Sequence, residues 1–301
     1  MKILLAVSGG IDSMYMANRA PELFPGACFA VAHCNFGLRG EESDGDEAFV
    51  REWCGKRDME CFARRFDTAE YASGKGISIE MAARELRYAW FAELCSGHGF
   101  EAVAVAHNLN DNAETAILNM LRGTGPRGMR GMSKSSRYSS GGTVTEIRRP
   151  LLDVSREEIT DWMTVNKCGW REDRTNADCD YKRNRIRNRV FPLFKELNPS
   201  FLRTLNRNSE HFALVDDIAE DYFRSSGLDM EKGVDIRELL ALKHWKYVLF
   251  RLTEPYGLSE ETFGKLTELL ESDRTISGKT FQSPTHVLHI RKKTLSAEKR
   301  F

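Results

Sequence analysis

Six residues near the start of the chain, Ser8-Gly9-Gly10-Ile11-Asp12-Ser13, gather two hydroxyls, two glycines and a carboxylate into one turn. They follow the continuous apolar run of residues 2–7 and precede a segment, residues 12–19, that reads as a helix. Where a strand turns into a helix, glycines let the backbone approach a ligand closely. The start of the helix adds N–H groups without intrahelical partners and a positive potential. Those are the properties a phosphate needs. The loop lacks the Gly-Lys-Ser/Thr ending of a Walker A loop and the spacing of a dinucleotide fingerprint. A plain strand-to-helix turn is the alternative for any glycine pair.

A second group sits past the apolar segment of residues 101–107, where a helix is expected from Asp111 to about Arg122. Asp111 and Glu114 are three residues apart and share one helical face. Two carboxylates at the carboxyl end of a strand suit a Mg²⁺ that bridges phosphates and keeps several waters. Acids favoured by the helix dipole are the competing explanation. His33 and His107 each close an expected strand and could face a ligand or be satisfied internally. Arg87 lies on an amphipathic segment, residues 79–95, opened by the cap Ser78 and ended by Gly97.

These groups need a frame. Strands expected at residues 2–7, 28–33, 60–66 and 101–107 alternate with helices at 12–19, 43–56, 79–95 and 111–122. That spacing argues for a doubly wound, parallel α/β sheet. Ser43 with Asp46, and Ser155 with Glu158, have the spacing of capping boxes. The Gly-, Ser- and Arg-rich stretch 123–142 is expected to be either a mobile cover over the site or disordered. Beyond Asn198-Pro199-Ser200 the pattern is helical, with short strands or turns at 274–295.

The chain has 301 residues, with 44 Lys+Arg against 44 Asp+Glu. The length suggests two domains, and 41% hydrophobic with 29% charged residues excludes a disordered chain. No apolar run reaches the roughly 18 residues that span a bilayer. The opening run is too short for a secretion signal, so a cytoplasmic protein is expected. Seven scattered cysteines without a CxxC pair argue against a disulfide framework or a structural zinc site. Zero net charge hides a segregation. Residues 122–149 hold seven Lys/Arg and one acid, residues 182–207 hold eight and one, and residues 210–238 hold nine acids and three bases. Two basic segments beside a phosphate loop point to a polyanion.

The Ser8–Ser13 loop resembles the pyrophosphate loop of the N-type ATP pyrophosphatases, which have an adenine nucleotide α-hydrolase-like, Rossmann-like fold. Further motifs are similar to those of the tRNA(Ile)-lysidine synthetase family. They are His33-Cys34-Asn35-Phe36-Gly37-Leu38-Arg39, Ala83-Arg84-Glu85-Leu86-Arg87-Tyr88 and His107 through Thr115, with Asn110 where that family has an Asp. Arg149-Pro150-Leu151-Leu152, Asp173-Arg174-Thr175-Asn176 and Tyr181 through Arg187 complete the set, which spans about residues 1–200.

The resemblance implies a catalytic domain over residues 1–205 and a smaller, mostly helical tRNA-contacting domain over 206–301. It places ATP on Ser8, Gly9, Gly10, Ile11, Asp12 and Ser13 with His33 and His107, and catalysis on Asp12, Arg87, Asp111 and Glu114. Mg²⁺ falls to Asp111 and Glu114, and tRNA or substrate contacts to Asn35, Arg39, Arg183, Asn184 and Arg187. The implied reaction joins free L-lysine to C2 of the wobble cytidine of a CAU-anticodon tRNA(Ile), releasing AMP and pyrophosphate. A tRNA thiolase of the same superfamily and a non-catalytic ATP- or RNA-binding module are the rivals. The missing CxxC pair weighs against the first, and the carboxylates beside the phosphate loop against the second.

Overall fold

The computed structural model describes residues 1–140, 142–172, 181–272 and 276–300, and divides into two compact units, Met1–Ala213 and Leu214–Phe301. The motif at 173–176 lies outside the described residues. The first half of the first unit runs β1 (Lys2–Ala6), α1 (Ile11–Leu23), β2 (Cys28–Asn35), α2 (Glu41–Gly55), β3 (Cys61–Arg65), α3 (Thr68–Lys75), α4 (Ile79–His98) and β4 (Ala102–Ala104). It continues with α5 (Leu109–Leu121), α6 (Pro126–Met129), β5 (Ser135–Ser140), β6 (Thr143–Arg148) and α7 (Arg156–Val165). After α8 (Tyr181–Arg185) comes a π-helical turn, Ile186–Val190, then α9 (Phe191–Leu197) and α10 (Phe201–Ser225), within which the division between units falls.

The six strands order β3-β2-β1-β4-β6-β5, all parallel except β5, which runs antiparallel to β6. The chain therefore builds outward from β1 to β3 and then returns to lay β4 on the other side of β1. Such a reversal opens a crevice at the carboxyl ends of the two central strands. Alternation along β1 supplies both faces. Ile3, Leu5 and Val7 pack with Met14, Val50, Trp53, Ile159 and Met163 of α1, α2 and α7. Leu4 packs the other way, with Tyr88, Phe91 and Leu94 of α4.

Local chemistry sets the helix ends. Ser78 accepts from the N–H of Met81, and α4 ends at Gly99 with φ +71°, two residues beyond the expected stop at Gly97. The capping box of Ser155 and Glu158 is present. The one expected at Ser43 is not: α2 starts at Glu41, and the buried Ser43 hydroxyl accepts from the N–H of Arg39. The described residues of the stretch 123–142 are ordered rather than structureless. They include α6 and the strand Ser135–Ser140, which forms a hairpin with β6 and rests Tyr138 against Tyr88 at 5.1 Å. Alternating exposure along β5, rather than apolarity, marks that strand.

In the second unit, β7 (Val234–Asp235), α11 (Ile236–Ala241), α12 (Trp245–Thr253) and α13 (Glu260–Glu271) are followed by β8 (Thr280–Gln282), β9 (His286–Arg291) and β10 (Thr294–Lys299). The strands form an antiparallel sheet ordered β7-β10-β9-β8, so the expected helices share the unit with a small sheet. Leu239, Leu249, Leu266, Leu288, Ile290 and Leu295 form its core. No helix among the described residues is long and apolar enough to cross a membrane.

Leu5 has no solvent exposure and carries β1 into the phosphate loop. Leu5→Ala is expected to lower unfolding stability by about 2–5 kcal/mol, measured by urea titration with tryptophan fluorescence. An unchanged midpoint would contradict the core assignment.

Candidate active site

The loop after β1 is tied shut by its own serines. The N–H of Ser8 donates to Oγ of Ser13 at 3.1 Å, and that hydroxyl donates to the carbonyl of Gly10 at 2.8 Å. Gly9 sits at φ +93°, where an L side chain is strained. Gly10 occupies the N-cap of α1 without a side-chain cap, so the helix start is open to an anion. Behind the loop, Nδ1 of His33 donates to the carbonyl of Val7 at 2.9 Å. His33 is 2% exposed, its Nε2 is buried without a partner, and burial lowers its pKa, which keeps the ring neutral. It holds the loop from below and does not line the cleft.

The carboxylates enter from α5. Asn108, not Asp111, caps this helix, and the two side chains form a reciprocal capping box. The amide of Asn108 also donates to Asp12 at 3.0 Å, joining the phosphate loop to α5 across β1 and β4. Burial raises the pKa of Asp12, which Arg156 opposes and Asp111 reinforces. Asp12 and Asp111 both line a cleft of about 660 Å³, within the range of nucleotide-sized sites.

Glu114 differs from its expected place as a metal ligand beside Asp111. Its side chain has no exposure, its Oε1 takes Nε of Arg187 at 2.8 Å, and its Oε2 is buried without a partner. The physical reason is position: one turn further along α5 it points under the helix segment carrying Arg187 rather than into the cleft. Burial raises its pKa, and Arg187 opposes that. Arg187, expected at tRNA, closes over both acids, reaching Asp111 at 3.6 Å, and lines the cleft.

Arg87 lines the cleft with its guanidinium over Phe36 at 5.2 Å. His107 lines it too. Burial, with Arg149 and Arg87 nearby, lowers its pKa to about 3. Cys34 faces the same space, its thiol pushed up to about 12 by burial. Asn35 and Arg39 do not line it. The Asn35 amide donates to Asp44 and Glu47 and its carbonyl accepts from Gly37, while Arg39 pairs with Asp46 at 2.8 Å. They fix the turn after β2. Arg183 is exposed on α8 and Asn184 is half-buried.

Two cleft-lining residues, Arg156 and Arg171, and the buried Asn108 that holds Asp12, escaped sequence reasoning. The N-cap spacing of Asn108 and Asp111 was a usable signal for the last. Arg156, at the start of α7, lies 3.8 Å from Asp12, and Arg171 donates its N–H to the carbonyl of Gly9 at 3.0 Å. Both depend on contacts with the phosphate loop from more than 140 positions away, which no local pattern reports.

A parallel sheet with a serine–glycine loop and two carboxylates at its switch point defines a PP-loop domain, and a family model of that description matches residues 1–194. A second, described as TilS substrate binding domain, matches residues 229–299. A tRNA(Ile)-lysidine synthase of Porphyromonas gingivalis is 39% identical over 290 residues, covering 95% of this chain and 61% of that protein. One from Chlorobaculum tepidum is 38% identical over 272 residues, covering 85% of this chain and 78% of that protein. The chain belongs to the tRNA(Ile)-lysidine synthase family. It spans 61% and 63% of the length of the Porphyromonas and Parabacteroides relatives. Among solved structures, the U34-tRNA thiolase NcsA from Methanococcus maripaludis, described with its 4Fe-4S cluster, shares the fold. Its TM-score is 0.58 at 18% identity, covering 70% of this chain and 72% of that one.

A histidine neutral in the fold but protonated when unfolded makes stability fall as pH drops below 6.5, until the folded ring also protonates near 3. His107→Gln is therefore expected to gain thermal stability relative to the unmodified chain at pH 5 compared with pH 7.5. A difference in melting temperature independent of pH would contradict the buried neutral ring.

Proposed function

We propose that this protein joins free L-lysine to C2 of the wobble cytidine in a CAU-anticodon tRNA(Ile), in two steps that consume ATP. The observation that carries this reading is the meeting of the Ser8–Ser13 loop, Asp12, Asp111 and Arg87 in one cleft at the sheet's switch point. The ATP phosphates rest on the loop, held by its N–H groups, the two serine hydroxyls and the start of α1. The cytidine C2 oxygen attacks the α-phosphorus and pyrophosphate leaves. The lysine ε-amine then adds at C2 and AMP departs with the former carbonyl oxygen. Adenylation turns a poor oxygen leaving group into a good one, and the protein's part is alignment and charge stabilisation.

Asp12 and Asp111 fit a hard divalent cation. Their side chains are 25% and 24% exposed, both line the cleft, and Asp12 already registers the repulsion of Asp111. Mg²⁺ bound there would neutralise phosphate charge. Glu114 contributes indirectly, by anchoring Arg187 beside Asp111. Arg87 faces the developing charge. Residues 1–205 act as the catalytic domain and 206–301 as the tRNA-contacting one, in the cytoplasm where tRNA is modified. Arg183 and the exposed bases Arg122 and Arg127 present positive charge to the tRNA backbone. The thiolase rival is weakened by the sequence, whose scattered cysteines include no CxxC pair.

The test is release of AMP and pyrophosphate from ATP in the presence of lysine and a CAU-anticodon tRNA(Ile) transcript. Pyrophosphate release that needs ATP and the tRNA, and AMP release that needs lysine as well, are expected; lysine-independent AMP or no AMP at all would overturn the reading. Asp111→Asn is expected to slow it by about 10²–10³-fold while tRNA retention on a filter stays largely unchanged. Lost retention with normal adenylation would contradict the role given to Asp111.

A further inference from the structure

Four arginines line the cleft: Arg87, Arg156, Arg171 and Arg187. Two are committed to carboxylates: Arg187 pairs with Glu114 at 2.8 Å and Arg171 pairs with Asp46, while Arg87 lies over Phe36. The guanidinium of Arg156 is held more loosely, with Nη2 3.8 Å from Oδ2 of Asp12 and a side chain 31% exposed. Its backbone is fixed by contrast. The N–H of Arg156 donates to Oδ1 of Asn110 at 3.0 Å, and the capping box of Ser155 and Glu158 sets the helix that follows.

Asn110 stands next to Asp111 in the first turn of α5, so this bond links α5 directly to α7 at the rim of the cleft. A carboxylate at position 110 would add a further negative charge one residue from Asp111 and would compete with the cleft for the guanidinium of Arg156. The neutral amide accepts the backbone N–H and leaves the guanidinium to the cleft. A polyphosphate offers that guanidinium more charge than one carboxylate, and a bidentate geometry.

We propose that Arg156 is a catalytic residue that grips the β- and γ-phosphates of ATP and then the departing pyrophosphate, and that Asn110 is the residue that positions it. The proposal rests on the ATP site described above, though not on the identity of the tRNA or the amine.

Magnesium pyrophosphate and AMP separate the two ends of the nucleotide, because AMP lacks the phosphates assigned to Arg156. Equilibrium binding of each to the full chain is the experiment. Arg156→Gln is expected to weaken pyrophosphate binding by about 10- to 100-fold with AMP binding unchanged, and Arg156→Lys to recover part of the loss. Asn110→Ala should weaken pyrophosphate binding in the chain with Arg156, and have no further effect in the Arg156→Gln background. Circular dichroism checks the fold of each variant, and Arg156→Lys, which keeps the charge, carries the comparison if the glutamine variant fails to fold. No pyrophosphate binding by the unmodified chain, equal loss of AMP and pyrophosphate, or additive effects of the two substitutions would each overturn the proposal. Neither probe needs tRNA or lysine. Pyrophosphate discrimination without lysine-dependent AMP release would therefore keep Arg156 in place and remove the lysidine reading, and the opposite pair of results would do the reverse.

Discussion

A carboxylate with no solvent exposure must be compensated, and at Glu114 the compensation comes from Arg187, 73 residues away in sequence. Removing one partner of such a pair costs about 3–5 kcal/mol, because the other is left charged in a poorly hydrated place. The pair therefore pins the segment of residues 181–190 onto α5. Ala113, Ile117, Leu118, Ile186, Phe191 and Phe201 seal the same contact with apolar surface. The consequence reaches the cleft, since the same guanidinium then lies against Asp111 and offsets its charge.

From that knot outward the site is a chain of short polar links. Asp111 and Asn108 cap α5 reciprocally, Asn108 holds Asp12, and Asp12 sits in the phosphate loop. On α5 itself, Asn112 accepts the N–H of Met132 at 2.7 Å and donates to Asn206 at 3.1 Å. A side chain at Gly131 would lie 2.4 Å from the Asn112 carbonyl oxygen, so only glycine fits there. The basic stretch after α5 is thus moored to the helix that carries the carboxylates. Its Arg122 and Arg127 remain exposed while its far end is built into the sheet through β5. One scaffold thus carries both these exposed bases and Asp111 at the cleft.

Much of this was legible from local pattern. The apolar run of β1, the loop Ser8–Ser13 that follows it and the caps at Ser78 and Ser155 report themselves within a few residues. What could not be read depends on distance in sequence. The partner of Glu114, the engagement of Arg171 with Gly9 and the bond from Arg156 to Asn110 are tertiary facts. The strand Ser135–Ser140 was hidden for another reason: it is hydroxyl-rich, lies at the sheet edge, and takes its conformation from β6 rather than from its own burial. The sheet of the second unit was blurred by strands as short as two and three residues.

Attack of a cytidine carbonyl oxygen on the α-phosphorus of ATP, as proposed for this cleft, is tested most directly by tRNA(Ile) carrying ¹⁸O at C2 of the wobble cytidine. This tRNA is incubated with ATP and lysine, with mass analysis of the released AMP. The label is expected in the phosphate of AMP, in step with lysidine formation. Unlabelled AMP accompanied by modified nucleoside would contradict this attack, because the oxygen would then have left by a route that never bonded to phosphorus.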